Sequence, residues 1–477
     1  MERRLPKPNP RPGSFLAAGK RPPSHARPLL FKPMPTIASG IDYQLAHANE
    51  VSQAQRFGRY CGETMRDSCH VQPTSAKRTV SPGQDRPATR IGAPMIHLDS
   101  HPTAELSTPY DVFEGWVAHA SEGRLDLRLA GVPLAVSKVA RPDLGQGGIG
   151  FRAYVDLTQL DNGALQAALP LIAEVEGDPA GTLEIMLAPD LADTVAGARS
   201  AKLRKRDWLV QHLRHRQSGE AGVTKDEALV FPQAGFSTPL PPFGAVNMLD
   251  PAYGFSGKLS DKADGVSDHP YPSLLETQLA AARHENFMAL DFGAGFKRIE
   301  RPDVVYMEIF DYPSTDLLTV GQALPFADNT FDMVLTLAVL EHVDDPFTCA
   351  KEIVRVLKPG GLVFSGIPFM QPEHGYPDHY FNMTRSGHRR LYGAEIEVIE
   401  HIVDDHQHPF RSLQWILRSY MQGLPEDARP EFAEMSVRDI LTSRYWKARQ
   451  QPFVKDLSET AQFELASATT LIGRKRG

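Results

Sequence analysis

The sequence predicts an α/β protein: a doubly wound, mostly parallel sheet, preceded by a small β-sandwich-like domain and a disordered N-terminal tail. Three observations predict it. From Pro272 onward helical stretches alternate with short apolar runs, between about 109 and 189 apolar and polar residues alternate over short runs, and before about Pro94 neither period is sustained. These changes divide the chain into a tail (1–94), a β-sandwich-like domain (105–195), a linker with one short helix (196–271) and the α/β domain (272–477).

The tail is rich in Pro, Arg and Ser, so burial cannot offset its ordering entropy. Its basic excess fits an interaction arm or a targeting sequence; the plainer reading is a dispensable tail, with Met95 as the true start. Across the 477 residues, 42% are hydrophobic and 23% charged, and the net charge of -7 offers no field for holding nucleic acid. Three cysteines, Cys61, Cys69 and Cys349, are too few and too scattered for a disulfide framework or a four-ligand zinc site. No apolar run reaches the roughly 18 residues of a membrane span, and no apolar stretch follows the basic N-terminus as in a signal peptide. A cytoplasmic location is expected.

In the β-sandwich-like domain Leu125, Leu127 and Leu129 alternate with Arg124, Asp126 and Arg128. The sets Phe151, Ala153, Val155, Leu157 and Leu183, Ile185, Leu187 repeat that pattern between turn signals at 131–133, 161–163 and 177–181. The run from Phe113 to Leu134 resembles β-sandwich modules found beside bacterial glycan enzymes, which implies contact with a glycan or partner protein; a spacer role is the alternative. In the linker, the basic run Lys202–Arg206 is read either as a contact for an acidic group or as a solvated helix face.

The α/β domain opens with a helix whose Ser273 and Glu276 have capping-box spacing, followed by a strand at Phe287–Leu290 and a turn holding Asp291, Gly293, Ala294 and Gly295. That turn lies at the carboxyl end of the first strand, where open α/β sheets bind ligands. The second strand, Val304–Met307, terminates in Glu308, placed to accept from both hydroxyls of a ribose. Phe296, Lys297 and Arg298 follow Gly295, so the third glycine of a dinucleotide fingerprint is absent. Only Phe296 to Asp303 separate the first loop from the second strand, so the first crossover helix is expected to be short or missing. Further on come a strand from Met333 to Leu337, and a helix capped by Asp345 with Pro346 at its first position, stopped by Pro359, Gly360 and Gly361.

Taken together, LDFGAG, Glu308, LPF with a following FD, LEHV and EIVRVLKPGG resemble the class I S-adenosylmethionine-dependent methyltransferases, in the family's order and spacing. The segment Pro368–Tyr392 resembles bacterial members associated with surface glycan synthesis, and the run Phe463–Gly473 resembles the family's last antiparallel strand. The resemblance implies a Rossmann-like domain that binds S-adenosylmethionine and methylates a small-molecule or glycan-linked acceptor, with partners among glycan-synthesis proteins. A catalytically silent cofactor-binding scaffold is the alternative.

It also implies roles. Asp291, Gly293, Ala294 and Gly295 would embrace the cofactor and Glu308 its ribose, with Leu337 at the fourth strand's end completing the site. Otherwise Asp291 is a capping residue and the glycines a tight turn. Val320 and Gly321 stand where the family commonly has an acid for the adenine, leaving backbone, apolar contacts and Gln322. Glu341, His342, His374, Asp378, His379 and Tyr380 are candidates for handling the acceptor's proton, His374 first and His342 next; each has an alternative in tying loops together. His401, His406 and His408 with Asp404 and Asp405 match no ordinary zinc spacing, so no metal is expected.

Overall fold

The computed structural model describes residues 95–119, 123–144, 147–165, 168–213, 243–249, 253–259, 267–375 and 378–469. The predicted tail and most of the Pro/Gly-rich part of the linker lie outside the described residues.

The first described residues form β1 (Ile96–Leu98), β2 (Glu105–Leu106), β3 (Tyr110–Val117), β4 (Leu125–Leu129), β5 (Val132–Pro133), β6 (Ala135–Val139), β7 (Ile149–Asp156), β8 (Ala168–Val175) and β9 (Asp178–Leu187). They make two sheets, in the orders β1-β3-β7-β6 and β2-β9-β8-β4-β5, antiparallel except for the β2–β9 pair. Both sheets contribute to one core, Phe113, Phe151 and Val155 from the first, Leu127, Leu171 and Ile185 from the second. The period-2 alternation is what drives this, since Leu125, Leu127 and Leu129 are buried while the residues between them are not.

Helix α1 (Leu191–His212) follows, and it corrects the expectation of a linker with one short helix. It runs 22 residues, because Val195, Ala198, Lys202, Lys205 and Leu209 recur at helical spacing along a buried face. Lys202 and Lys205 of the basic run are therefore turned inward, while Arg204 faces solvent. Lys202 Nζ donates to the Thr315 carbonyl at 2.8 Å, and the fully buried Lys205 pairs with Glu300 and Asp316 and donates to the Val304 carbonyl at 2.9 Å.

The second half contains β10 (Val246–Asn247), α2 (Ser273–Ala282), β11 (Ala289–Phe292), β12 (Val304–Glu308), β13 (Leu317–Leu318), β14 (Phe331–Leu337), α3 (Pro346–Val356), β15 (Leu357–Gly366) and α4 (Arg385–Tyr392). The sheet order is β10-β13-β12-β11-β14-β15 and every pairing is parallel. Both faces are covered, as apolar strands of this kind require. Leu290, Met307 and Val334 pack with Leu209 of α1 and Ile353 of α3, whereas Ala289, Tyr306 and Leu335 pack with Leu275 and Leu279 of α2. Residues 275–365 thus lie in a doubly wound sheet.

No helix connects β11 to β12, as the short spacing predicts. The connection is held by side chains instead: Arg298 pairs with Asp111 and Asp268, Tyr110 donates to Glu300 at 2.8 Å, and Phe296 packs among Tyr110, Tyr154 and Tyr312. The capping box at α2 does not form. Pro272 is its N-cap residue and Glu276 is drawn to Arg301. Asp345 caps α3 as expected, accepting from the Thr348 amide at 2.9 Å.

The chain then forms α5 (Pro409–Gly423), α6 (Arg429–Glu434), α7 (Val437–Thr442), α8 (Tyr445–Ala448), α9 (Pro452–Lys455) and α10 (Glu459–Glu464). Phe463 lies in α10, capped by Ser458, so the run expected as a final antiparallel strand is helical at its start. No strand follows among the described residues, and 470–473 lie outside them. No helix among the described residues is long and apolar enough to cross a membrane.

Candidate active site

The carboxyl ends of β11, β12, β13 and β14 meet at one edge of the parallel sheet. Asp291 sits one residue before the end of β11, buried, opposite Tyr306 in the ladder. The strand reaches two residues further than the sequence suggests, so Asp291 is fixed by the sheet rather than by the turn. Its Oδ2 accepts from the Tyr271 hydroxyl at 2.5 Å and lies 3.6 Å from Lys297 Nζ. Burial, and then the Asp291 charge, push the Tyr271 phenol well above its ordinary value, which keeps it a proton donor. Neither partner was singled out from the sequence, because nothing local marks Tyr271 or Lys297 as a neighbour of Asp291.

The turn after β11 needs its glycines. Gly293 (φ 74°) and Gly295 (φ 66°) are left-handed. A Cβ at Gly293 would lie 2.6 Å from both Val339 methyls, and one at Gly295 would lie 2.5 Å from the Ser267 carbonyl oxygen. The Gly293 and Ala294 amides donate to the Met307 carbonyl at 3.1 and 2.9 Å, which folds the loop over toward β12. Gly295→Ala is expected to cost about 1–3 kcal/mol through this backbone conformation and the collision with Ser267. An unchanged urea midpoint would mean that the loop has another shape.

Glu308, half-buried at the end of β12, accepts from the Gly295 amide at 2.7 Å and from the Ile309 amide at 2.8 Å. One carboxylate thus ties the glycine loop to the second strand. Next to it, the Thr319 amide donates to the Glu308 carbonyl at 3.1 Å, bringing the tip of β13 alongside. Beyond that tip Val320 is buried, and a Cβ at Gly321 would lie 2.0 Å from the Phe292 ring, so glycine fits there. Gln322 is committed elsewhere, its amide donating to Asp344 at 3.0 Å.

Leu337 ends β14, and Ala338 after it is also left-handed (φ 54°), its amide donating to the Gly366 carbonyl at 3.0 Å. This turn sets Val339 against Gly293 and leads into a 3-10 turn, Leu340–His342. Glu341 is fully buried there and neither carboxylate oxygen has a hydrogen-bond partner among the described residues. Burial raises its pKa to about 8. His342 Nδ1 lies 2.8 Å from the Asp378 carbonyl, and His374 Nδ1 lies 2.8 Å from the Pro372 carbonyl. The rings of His342 and His374 sit 5.2 Å apart, with His379 4.4 Å and Trp415 4.9 Å from His374. Gly375 (φ 88°) makes room for this, since a Cβ on it would lie 2.3 Å from the His342 ring.

The structure therefore gathers Asp291, Gly293, Ala294, Gly295 and Glu308 into one loop system, and His342 and His374 into a second cluster with Glu341. Other candidates are spent locally. Asp404 caps a 3-10 turn, His408 caps α5, and His401 accepts from Arg389 at 3.2 Å. A cavity of about 620 Å³, lined by Thr194, Ala198, Arg204, Ile299 and Pro302, opens beside α1. Pro302 precedes β12, which places this cavity toward the strands' amino ends, away from Glu308.

Residues 275–365 match the family model described as a methyltransferase domain. A protein of Mycobacterium tuberculosis named an uncharacterized methyltransferase is 31% identical over 157 residues, covering 29% of this chain and 61% of the relative. One of Mycobacteroides abscessus, also named an uncharacterized methyltransferase, is 39% identical over 82 residues, covering 16% and 32%. The chain thus spans less than two thirds of these curated relatives. Among solved structures, the YcgJ protein of Bacillus subtilis is 15% identical with a TM-score of 0.23, covering 35% of this chain and 90% of that one. The phosphoethanolamine N-methyltransferase 2 of Haemonchus contortus, solved with S-adenosyl-L-methionine, is 17% identical with a TM-score of 0.20, covering 36% and 46%.

Proposed function

We propose that the chain is an S-adenosylmethionine-dependent methyltransferase whose cofactor lies across the tips of β11, β12 and β13, with a small-molecule or glycan-linked acceptor entering beside Glu341, His342 and His374. One observation carries the nucleoside reading. The loop after β11 holds two carboxylates at neighbouring strand tips yet leads into no helix. A diphosphate at this position would want a helix N-terminus, whereas a ribose wants a carboxylate that accepts from its hydroxyls. The donor set fits a nucleoside without phosphate, which disfavours a nicotinamide dinucleotide.

S-adenosylmethionine supplies an activated methyl group on a sulfonium: the acceptor's lone pair forms the new bond to carbon as the sulfur–carbon bond breaks, and that pair stays on sulfur. The chain's task is then positioning, worth up to about 7 to 11 kcal/mol. Asp291, Gly293, Ala294 and Gly295 would seat the amino-acid part of the cofactor and Glu308 the ribose. Leu337 would line the site, while Gln322 would have to leave Asp344 to reach the adenine. On the acceptor side His374, with His342 beside it, is the proposed group for the acceptor's proton, since each ring has its Nδ1 against a carbonyl and turns Nε2 into the acceptor nitrogen.

The glycan-linked acceptor, and glycan-synthesis proteins as partners, rest on the likeness of Pro368–Tyr392 to members of that kind. A silent scaffold is disfavoured by relatives that are named methyltransferases. Incubating the chain with methyl-labelled cofactor and extracts of its source cells, then identifying labelled molecules by mass spectrometry, tests the activity. A labelled metabolite or glycan precursor is expected. Cofactor binding with no label transferred to any fraction would favour the scaffold.

A further inference from the structure

We propose that Glu341, His342 and His374 form a binding site for one divalent transition cation such as zinc. Each residue can offer one ligand atom, and the three atoms lie within 4.8 Å of one another. Two imidazoles and a carboxylate are a donor set that suits zinc and neighbouring metals, with coordination positions left open for a small ligand.

Three features show a built site rather than a chance grouping. The first is the Glu341 carboxyl group, with no exposure and, among the described residues, no hydrogen-bond partner on either oxygen. His342 Nε2 lies 4.0 Å from Oε1. A carboxyl group so buried and unpartnered is costly in either protonation state, and a cation between it and the two imidazoles supplies a partner. The second is ring orientation. His342 and His374 each set Nδ1 against a backbone carbonyl, the outer contact that fixes a ligating histidine with its lone pair on Nε2. The third is the scaffold. Glu341 and His342 share one 3-10 turn, whose Glu341 carbonyl accepts from the Tyr380 amide at 2.7 Å, and His379 Nδ1 accepts from the His374 amide at 3.2 Å. The loop that carries His374 is thereby held against the turn that carries the other two, with Gly375 making the approach sterically possible.

The sequence did not show this site, because Glu341 and His342 are separated from His374 by a helix and a strand and match no metal spacing. In the methyl-transfer reading, the cation would polarise an acceptor oxygen as a Lewis acid, in place of proton transfer to His374. That role rests on the reading above; occupancy of the site does not.

Calorimetry with zinc(II) on the full chain, stripped by chelator and dialysed, tests the proposal. About one equivalent is expected to bind, with Glu341→Gln and His374→Asn each weakening it at least tenfold and His401→Asn leaving it unchanged. No stoichiometric binding by the folded chain, or affinity in both site variants equal to that of the unsubstituted chain, overturns the proposal. Zinc-edge X-ray absorption of the unsubstituted chain stands even where a variant fails to fold. It should count two imidazoles and oxygen ligands, and any other set overturns the site. Neither readout requires methyl transfer, so a chain that binds zinc here but transfers no methyl group loses only the functional reading.

Discussion

Glu308→Ala is expected to weaken S-adenosylhomocysteine binding by about a hundredfold. A carboxylate accepting from two ribose hydroxyls contributes on the order of 1.5 to 3 kcal/mol per charge-assisted bond, and about 1.4 kcal/mol is a factor of ten. Glu308 also holds the Gly295 amide, so its loss loosens the glycine loop as well as the ribose contact. Asp291→Ala should weaken binding to a similar degree by a different route. It strands the Tyr271 hydroxyl and removes the anion beside Lys297. Its unfolding midpoint in urea should therefore fall too. Calorimetry on both variants checks this, and unchanged affinity in the pair would place the cofactor elsewhere.

Lys205→Met should cost about 3–5 kcal/mol of stability, the usual result of breaking a buried ion pair from one side. The ammonium is fully buried between Glu300 and Asp316 and lies 4.3 Å from the Tyr306 ring centre, so its removal leaves Glu300 without its paired ammonium and Asp316 with only Lys202, 3.9 Å away. Burial works against that charge, but Asp316 and Glu300 outweigh it and hold the lysine above its ordinary value. Stability from a raised lysine is present in full below its unfolded pKa and is lost only as pH rises through the folded value, so the full deficit shows at neutral pH. Urea unfolding measures it. Adding Glu300→Gln and Asp316→Asn should restore most of the loss, because the three groups act as a unit. A single variant within about 1 kcal/mol of the parent would mean that the network is solvated.

This network shows where sequence reading stops. The stripe Val195, Ala198, Lys202, Lys205, Leu209 has a helix period, but two lysines on it read as a solvent face until Glu300 and Asp316 are known to lie opposite. Those acids are 95 and 111 positions further along the chain. By contrast, the alternation at Leu125–Leu129, the run Val304–Glu308 and the cap at Asp345 are local, and each produces the element it predicts. So does the short spacing from Phe296 to Asp303: too few residues remain for a crossover helix, whatever the tertiary context. The capping box failed because Arg301, a non-local partner, competes for Glu276. The start of the run expected as a final strand is helical because Ser458 caps a helix that takes in Phe463.

The site divides in the same way. Asp291, the two glycines and Glu308 were legible because a single turn and a single strand end place them. Tyr271 and Ser267 were not, since they reach that turn from an earlier segment, and Lys297 follows the turn with nothing in its spacing to show that its side chain folds back to Asp291. His342 and His374 were visible as histidines past strand ends, but their union with the buried Glu341 depends on how the loop after β15 folds back.

In the proposed function a nucleoside without phosphate lies at these strand tips. Calorimetry of the full chain with S-adenosylhomocysteine and, separately, with NADH measures it directly. One S-adenosylhomocysteine per chain, with no heat of binding from NADH, is the result predicted. Binding of NADH in its place, or of neither compound by folded protein, would contradict it.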